Sequence, residues 1–214
     1  MRSTNAAWEL AQVDSGPLWA AELYPERLAT ALRMAAEAPE NGFGDLLDLA
    51  LGGSIIAMNA AGEFYYWGRG VAVDRALGED WFRKSFEEGS QRALLNYGWA
   101  LVRRNELGLA ETVFRSGAEE DWGPALYGLA TTLLRRSRSA EARQEARHLL
   151  ERAAAKGSPS ARWKLCRDMA RGRFGILEIS RGVVLLVEFA METLEAWDKD
   201  RNSVRTAATG ETIR

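Results

Sequence analysis

Cysteine and histidine are almost missing from this chain. Among 214 residues there is one of each, Cys166 and His148. A single cysteine excludes an internal disulfide. One histidine and a distant cysteine leave any zinc site to carboxylates alone, so no metal centre is expected. Cys166 reads as a small buried residue. His148, beside Leu149 and Leu150, reads as a surface or half-packed side chain. Long apolar runs are lacking too. The longest, Val183 to Val187 extended past Glu188 by Phe189-Ala190-Met191, is too short to span a bilayer and reads as one buried helix face. Met1 to Val13 contains Glu9 and Gln12 and no apolar stretch of secretion-signal length. Cytoplasmic residence without membrane insertion is therefore expected. No sign of charge dominates: the formal net charge is −2, which draws the chain toward neither nucleic acid nor an anionic membrane. Lysine is scarce and arginine carries most of the positive charge. That bias suits the gripping of carboxylates or phosphates, and it is also what a GC-rich coding sequence produces.

Catalytic constellations are absent as well. No Gly-Lys-Ser or Gly-Lys-Thr occurs, and Gly68-Arg69-Gly70 does not follow a strand, so the glycine corners are not phosphate loops. Glu119-Glu120-Asp121 reads as a solvated helix end. Glu141, Glu145, Arg143 and Arg147 lie at four-residue steps that suit ordinary ion pairs on an exposed helix face. Without a nucleophile–base pair or a metal set, neither an enzyme nor a bound cofactor is expected.

What the chain does have is 47% hydrophobic and 27% charged residues, the balance of a folded protein, and a repeat. Gly53-Ser54 leads to Ala57, Gly89-Ser90 to Ala93, and Gly157-Ser158 to Ala161. A fourth, eroded corner puts Asp121 and Trp122 before Ala125. The alanines step by 36, 32 and 36 residues, a period that means stacked helix pairs. In the clearest copy, helix A runs from about Ser54 to Trp67, with Ala57, Ala61 and Tyr65 on one face. Gly68-Arg69-Gly70-Val71 breaks it. Asp74 is placed to cap helix B, which runs to about Glu88 with Trp81, Phe82, Ser85 and Phe86 on its packing face. The second copy is read as Ser90–Arg103 and Leu109–Glu120, the third as Pro124–Arg136 and Ser139–Lys156, the fourth as Ser158–Arg171 and Glu178–Trp197. Upstream, Pro25–Glu37 and Asp45–Leu51 look like a degenerate opening pair, and Ala6–Val13 like a short helix. Three regions follow: an N-terminal helical cap at 1–53, the array at 54–197, and a flexible polar tail at 198–214.

The first copy resembles the Sel1-like repeat, a relative of the tetratricopeptide repeat. Ala57, Gly62, Tyr65, Gly68, Gly70, Val71, Asp74, Trp81 and Gly89 stand at the family's spacings. The chain departs from the pattern at Ala61, Gly78 and Ser85-Phe86, and the later copies fade. The resemblance implies an all-α fold, a right-handed α-solenoid of antiparallel helix pairs with about four repeats. It also implies an adaptor that binds other proteins rather than a catalyst. The cysteine-bridged secreted members of that family are not matched here.

In such solenoids the A helices line the concave face, so residues opposite Ala57, Ala61 and Tyr65 should face a groove. Three rows result. The first is Asn59, Leu95, Tyr127 and Trp163; the second is Glu63, Trp99, Thr131 and Arg167; the third is Trp67, Arg103, Arg135 and Arg171. Tryptophan, tyrosine and arginine are the types enriched at binding hot spots. The expected partner-binding residues are Trp67, Trp99, Arg103, Tyr127, Arg135, Trp163, Arg167 and Arg171, and the arginines favour an acidic partner segment. Trp81 is instead a core position. The expected role is a non-enzymatic bacterial adaptor, a regulator or assembly factor in a pathway such as surface polysaccharide production. An immunity protein neutralising a toxin is the alternative, and nucleic-acid binding a lesser one. Homodimerisation through the apolar last helix, Val183 to Trp197, is a further expectation.

Overall fold

The computed structural model describes residues 17–209, and side chains over 18–199. The helix expected at Ala6–Val13 lies outside the described residues. Among the described residues every regular element is helical. The order is α1 (Pro17–Ala20), α2 (Pro25–Glu37), α3 (Pro39–Leu51), α4 (Ile55–Trp67), α5 (Arg75–Glu87), α6 (Gln91–Arg103), α7 (Leu107–Glu119), α8 (Gly123–Arg136), α9 (Ala140–Ala155), α10 (Pro159–Ala170), a 3-10 turn at Ile176–Glu178, and α11 (Ile179–Thr209).

The repeated Ser-x-x-Ala corner has a plain physical cause. The hydroxyls of Ser54, Ser90 and Ser158 cap α4, α6 and α10 by accepting the amide N–H of Ala57, Ala93 and Ala161 at 3.3, 3.0 and 3.3 Å. Those alanines, and Ala125 in the eroded copy, are wholly buried. The preceding glycines Gly53, Gly89 and Gly157 all take positive φ. At the eroded corner Asp121 takes the same left-handed conformation, with φ 55°, one of the few non-glycine types that tolerate it. The later Gly-x-Gly corner works differently. Gly68 closes α4 in the left-handed region. A Cβ on Gly70 would stand 2.7 Å from the backbone nitrogen of Glu40, at the start of α3.

The chain divides into two compact units, Met1–Thr132 and Leu133–Arg214. In the first, α4 and α5 pack face to face, with Gly62 leaving room for the Phe82 ring. The next pair repeats the device: Gly98 of α6 and Gly128 of α8 both make room for Phe114 of α7. The packing does not part at residue 53. One apolar cluster joins Leu28, Leu46 and Leu49 to Ile56, Ala57, Phe64 and Trp81, so the expected cap shares its core with the first copy. α3 is also longer than the expected Asp45–Leu51. Pro39 starts it at a position where a missing N–H costs nothing, and Gly42 and Gly44 hide the helix from a propensity reading.

In the second unit α10 packs on α9 and α11. Gly182 of α11 lies against the backbone of Met169 and Ala170. α11 runs well past the expected end at Trp197. Residues 198–209, expected as a flexible tail, are helical. They include helix-favouring Lys199, Arg201, Arg205, Ala207 and Ala208, and no glycine or proline intervenes before Gly210. Residues 210–214 lie outside the described residues.

Candidate partner-binding surface

On the first unit, the end of α4 exposes Trp67, with 48% of its surface open. Arg103, the last residue of α6, lays its guanidinium carbon 4.6 Å from the centre of that ring and 5.8 Å from Tyr66. The two outer-row residues from neighbouring copies are thus brought together. Trp99 and Tyr127 are half-buried. Trp99 packs edge-on against Phe114 at 5.2 Å and meets Tyr127 at 6.0 Å. Much of its surface therefore serves packing.

Asn59 and Glu63, expected to face the groove, are buried. The far side of α4 is covered by α6 and by the corner after α4. Glu63 Oε1 accepts from Asn59 Nδ2 at 3.3 Å, Arg92 Nε at 3.0 Å and Asn96 Nδ2 at 3.2 Å. Arg69 approaches the other carboxylate oxygen at 3.5 Å, and Asn96 also donates to Asn59 Oδ1 at 2.9 Å. A buried carboxylate is tolerable only with such company.

On the second unit, α10 exposes Trp163 at 42%. Arg167 of the same helix stands 4.3 Å over its ring. Arg167 also reaches Asp168, whose side chain is 1% exposed, at 3.5 Å; Lys164 and Arg173 approach that carboxylate at 3.2 and 3.6 Å. The approaches are electrostatic rather than well-aligned hydrogen bonds, for Asp168 Oδ2 and Arg167 Nε have no hydrogen-bond partner among the described residues. Burial pushes the Lys164 ammonium below its ordinary range, against the pull of Asp168. One carboxylate thus gathers three cations and leaves a local positive excess. Arg135 and Arg171 are exposed at the ends of α8 and α10.

Arg103, Arg135 and Arg171 meet no carboxylate among the described residues, whereas Arg27, Arg83, Arg104 and Arg162 do. All three stand at the C-terminal end of an A helix, where a cation complements the helix dipole. Among the described residues, no group of three His, Cys, Asp or Glu side chains could hold a metal ion, and no helix is long and apolar enough to cross a membrane.

No family model matches the sequence, and no curated protein does. Solved structures do resemble it. A Sel1 repeat protein from Oxalobacter formigenes superposes with a TM-score of 0.60 at 20% identity, over 77% of this chain and 70% of that one. The chain has the Sel1-like repeat fold. An SLR-fold protective antigen of uropathogenic Escherichia coli strains is a more distant likeness, with a TM-score of 0.48 at 17% identity over 98% of this chain. This chain spans 53% of that antigen's length.

The Sel1-like geometry explains which residues sequence reasoning missed. Arg69, Arg92, Asn96, Lys164, Asp168 and Arg173 build the two polar clusters. The readable signal is a pair of polar or charged side chains inside an otherwise apolar helix face: Asn59 and Glu63 on α4, and Lys164 and Asp168 on α10, each pair four residues apart.

Proposed function

We propose that this chain is a non-catalytic adaptor that binds acidic segments of another polypeptide on exposed tryptophan–arginine platforms of its A helices. The observation that carries the reading is the stacking of an arginine on an exposed tryptophan in each unit: Arg103 on Trp67, and Arg167 on Trp163. A guanidinium over an indole combines a cation with apolar ring area; Arg103 meets no carboxylate among the described residues, whereas Arg167 already faces Asp168 at 3.5 Å. Each platform is complete within its own unit. Arg135 and Arg171, exposed and without carboxylate partners among the described residues, extend the preference for acidic ligands. Truncating either tryptophan or its arginine should cost roughly 2 kcal/mol or more of binding, the scale of hot-spot residues. The Sel1-like fold supports a scaffold role by likeness of architecture alone. We place the protein in the cytoplasm on the strength of its lone, buried cysteine.

A photo-crosslinking amino acid placed at 67 or 163, and as a control at 76 on the exposed side of α5, tests this in the native cell. Specific adducts at 67 and 163 and none at 76 are expected, with loss of the 67 adduct when Arg103→Ala is added. Equal labelling at 76, or adducts indifferent to Arg103→Ala, would refute the assignment.

A further inference from the structure

The face of α11 turned away from α10 is apolar and exposed among the described residues. Val183, Val184, Val187, Met191 and Leu194 are between 48% and 61% exposed. The opposite face is the one used within the unit: Gly182 packs on α10, and Arg162 of α10 lies over Phe189 and ion-pairs with Glu192. Among the described residues, α11 therefore packs one face within the unit and leaves Val183, Val184, Val187, Met191 and Leu194 half-exposed on another.

We propose that this second face pairs with the same face of a second copy, antiparallel, to form a homodimer. The spacing comes first. Ser180, Val184, Val187, Met191, Leu194 and Asp198 alternate steps of four and three residues, the period of a two-helix seam. The run is apolar in the middle and polar at both ends, so its length is bounded. Orientation follows from chemistry. A two-fold axis beside Phe189 pairs Val184 with Leu194 and Val187 with Met191, apolar on apolar throughout, and puts Ser180 opposite Asp198. On one flank Arg181 of each copy then lies beside Glu195 of the other, so two opposite-charge pairs form symmetrically. On the other flank Val183 meets Trp197, while Ala190 meets itself and lets the helices approach closely. The cost is one Glu188–Glu188 approach at the rim, where water screens it. The parallel alternative stacks Asp198 on Asp198 inside the seam and gives Arg181 no carboxylate. Self-complementarity under a two-fold axis is what an isologous interface requires.

Five half-exposed large side chains and their flanks bring the total buried area to about 1,000 Å², the lower edge for a specific interface. A reversible rather than an obligate dimer is the expectation. This surface is separate from the tryptophan–arginine platforms, so the dimer and the adaptor reading stand or fall independently.

Sedimentation equilibrium of the full chain from low to high micromolar concentration should show a reversible monomer–dimer equilibrium. The double substitution Val187→Glu with Met191→Glu should shift the midpoint upward by at least tenfold, with helix content unchanged because both side chains already face water. Orientation is read by oxidation. Mixing Val184→Cys protein with Leu194→Cys protein should give the mixed disulfide in preference to either symmetric one; Cys166 is buried and does not interfere. A chain that stays monomeric at every concentration, a dimer unaffected by the two glutamates, or preferential symmetric disulfides would each overturn the proposal.

Discussion

Glu63→Ala offers the sharpest test of the packing. The Glu63 side chain is 9% exposed and holds together Asn59, Arg92, Asn96 and Arg69 across α4, α6 and the corner after α4. Removing one member of a fully buried ion pair costs about 3–5 kcal/mol because the partner charge is stranded. Stranding is incomplete here: the Arg92 and Arg69 side chains are 23% and 50% exposed and can turn to water. What remains is the loss of hydrogen bonds by the two amides, about 1–3 kcal/mol for each buried polar group left unsatisfied. Asn59 and Asn96 still bond to each other, so the net loss is about 2–3 kcal/mol. For a chain of this size that lowers Tm by roughly 4–12 °C, at about 2–4 °C per kcal/mol. Glu63→Gln, which keeps an acceptor oxygen but removes the charge, should fall between Glu63→Ala and the wild type. Thermal melts followed by circular dichroism give all three values. If Glu63→Ala melts within a degree or two of the wild type, Glu63 faces solvent and the packing of α6 against α4 is wrong.

Trp81→Ala should destabilise the first unit by about 3–5 kcal/mol, because the ring lies in the apolar cluster shared by α2 to α5; an unchanged denaturation midpoint would contradict that. Gly108→Ala, in open space at the start of α7, should raise stability by up to about 1 kcal/mol through helix propensity. Gly78→Ala should lower it by about 1–3 kcal/mol, since its new Cβ would stand 2.8 Å from the Tyr66 nitrogen and 2.9 Å from the Gly62 carbonyl oxygen; paired melts showing the same sign for both would refute the close crossing of α4 and α5. Burial pushes the Cys166 thiol above its ordinary range, so little thiolate is present near neutral pH. Alkylation followed by mass spectrometry should be slow in the native protein and fast in denaturant, and equal rates would place Cys166 at the surface.

The repeat, the helix pairs and the caps were legible because they are local. Ser54, Ser90 and Ser158 each cap the helix that starts beside them, and Asp74 accepts the Leu77 amide at 3.0 Å within one turn. The start of α3 was not legible, since Gly42 and Gly44 lower helix propensity while tertiary packing restores it: a Cβ on Gly42 would stand 2.3 Å from the Ala35 backbone nitrogen. Helical continuation past Trp197 is masked by polar composition, which suggests irregular structure, although lysine, arginine and alanine all favour helix. Ser85, a departure from the paired alanines of the Sel1-like pattern, proves wholly buried, and its hydroxyl donates to the Ile55 carbonyl at 2.9 Å. No spacing rule announces such a bond between helices.

The error about the groove is the most instructive, because it follows from an assumption about helix surroundings. Helical periodicity suggests that α4 has one packed face and one open face. In fact α3, α5 and α6 enclose it, and Ile56, Ala57, Asn59, Ala61, Gly62, Glu63, Phe64 and Tyr66 are all buried. A helix wrapped on several sides exposes only its ends, where neighbouring elements turn away. That is where Trp67 lies, and where Arg103 reaches it from the end of α6. The same logic separates the three expected rows. Asn59 and Glu63, from the first and second, became internal polar structure, and Trp99 became largely packing. The third row, Trp67, Arg103, Arg135 and Arg171, sits at helix ends and stayed exposed. Ligand-binding candidates in a helix-pair array are therefore better sought at the last turn of each A helix than along its length, and Trp163 with Arg167 stands out because it lies inside α10 instead.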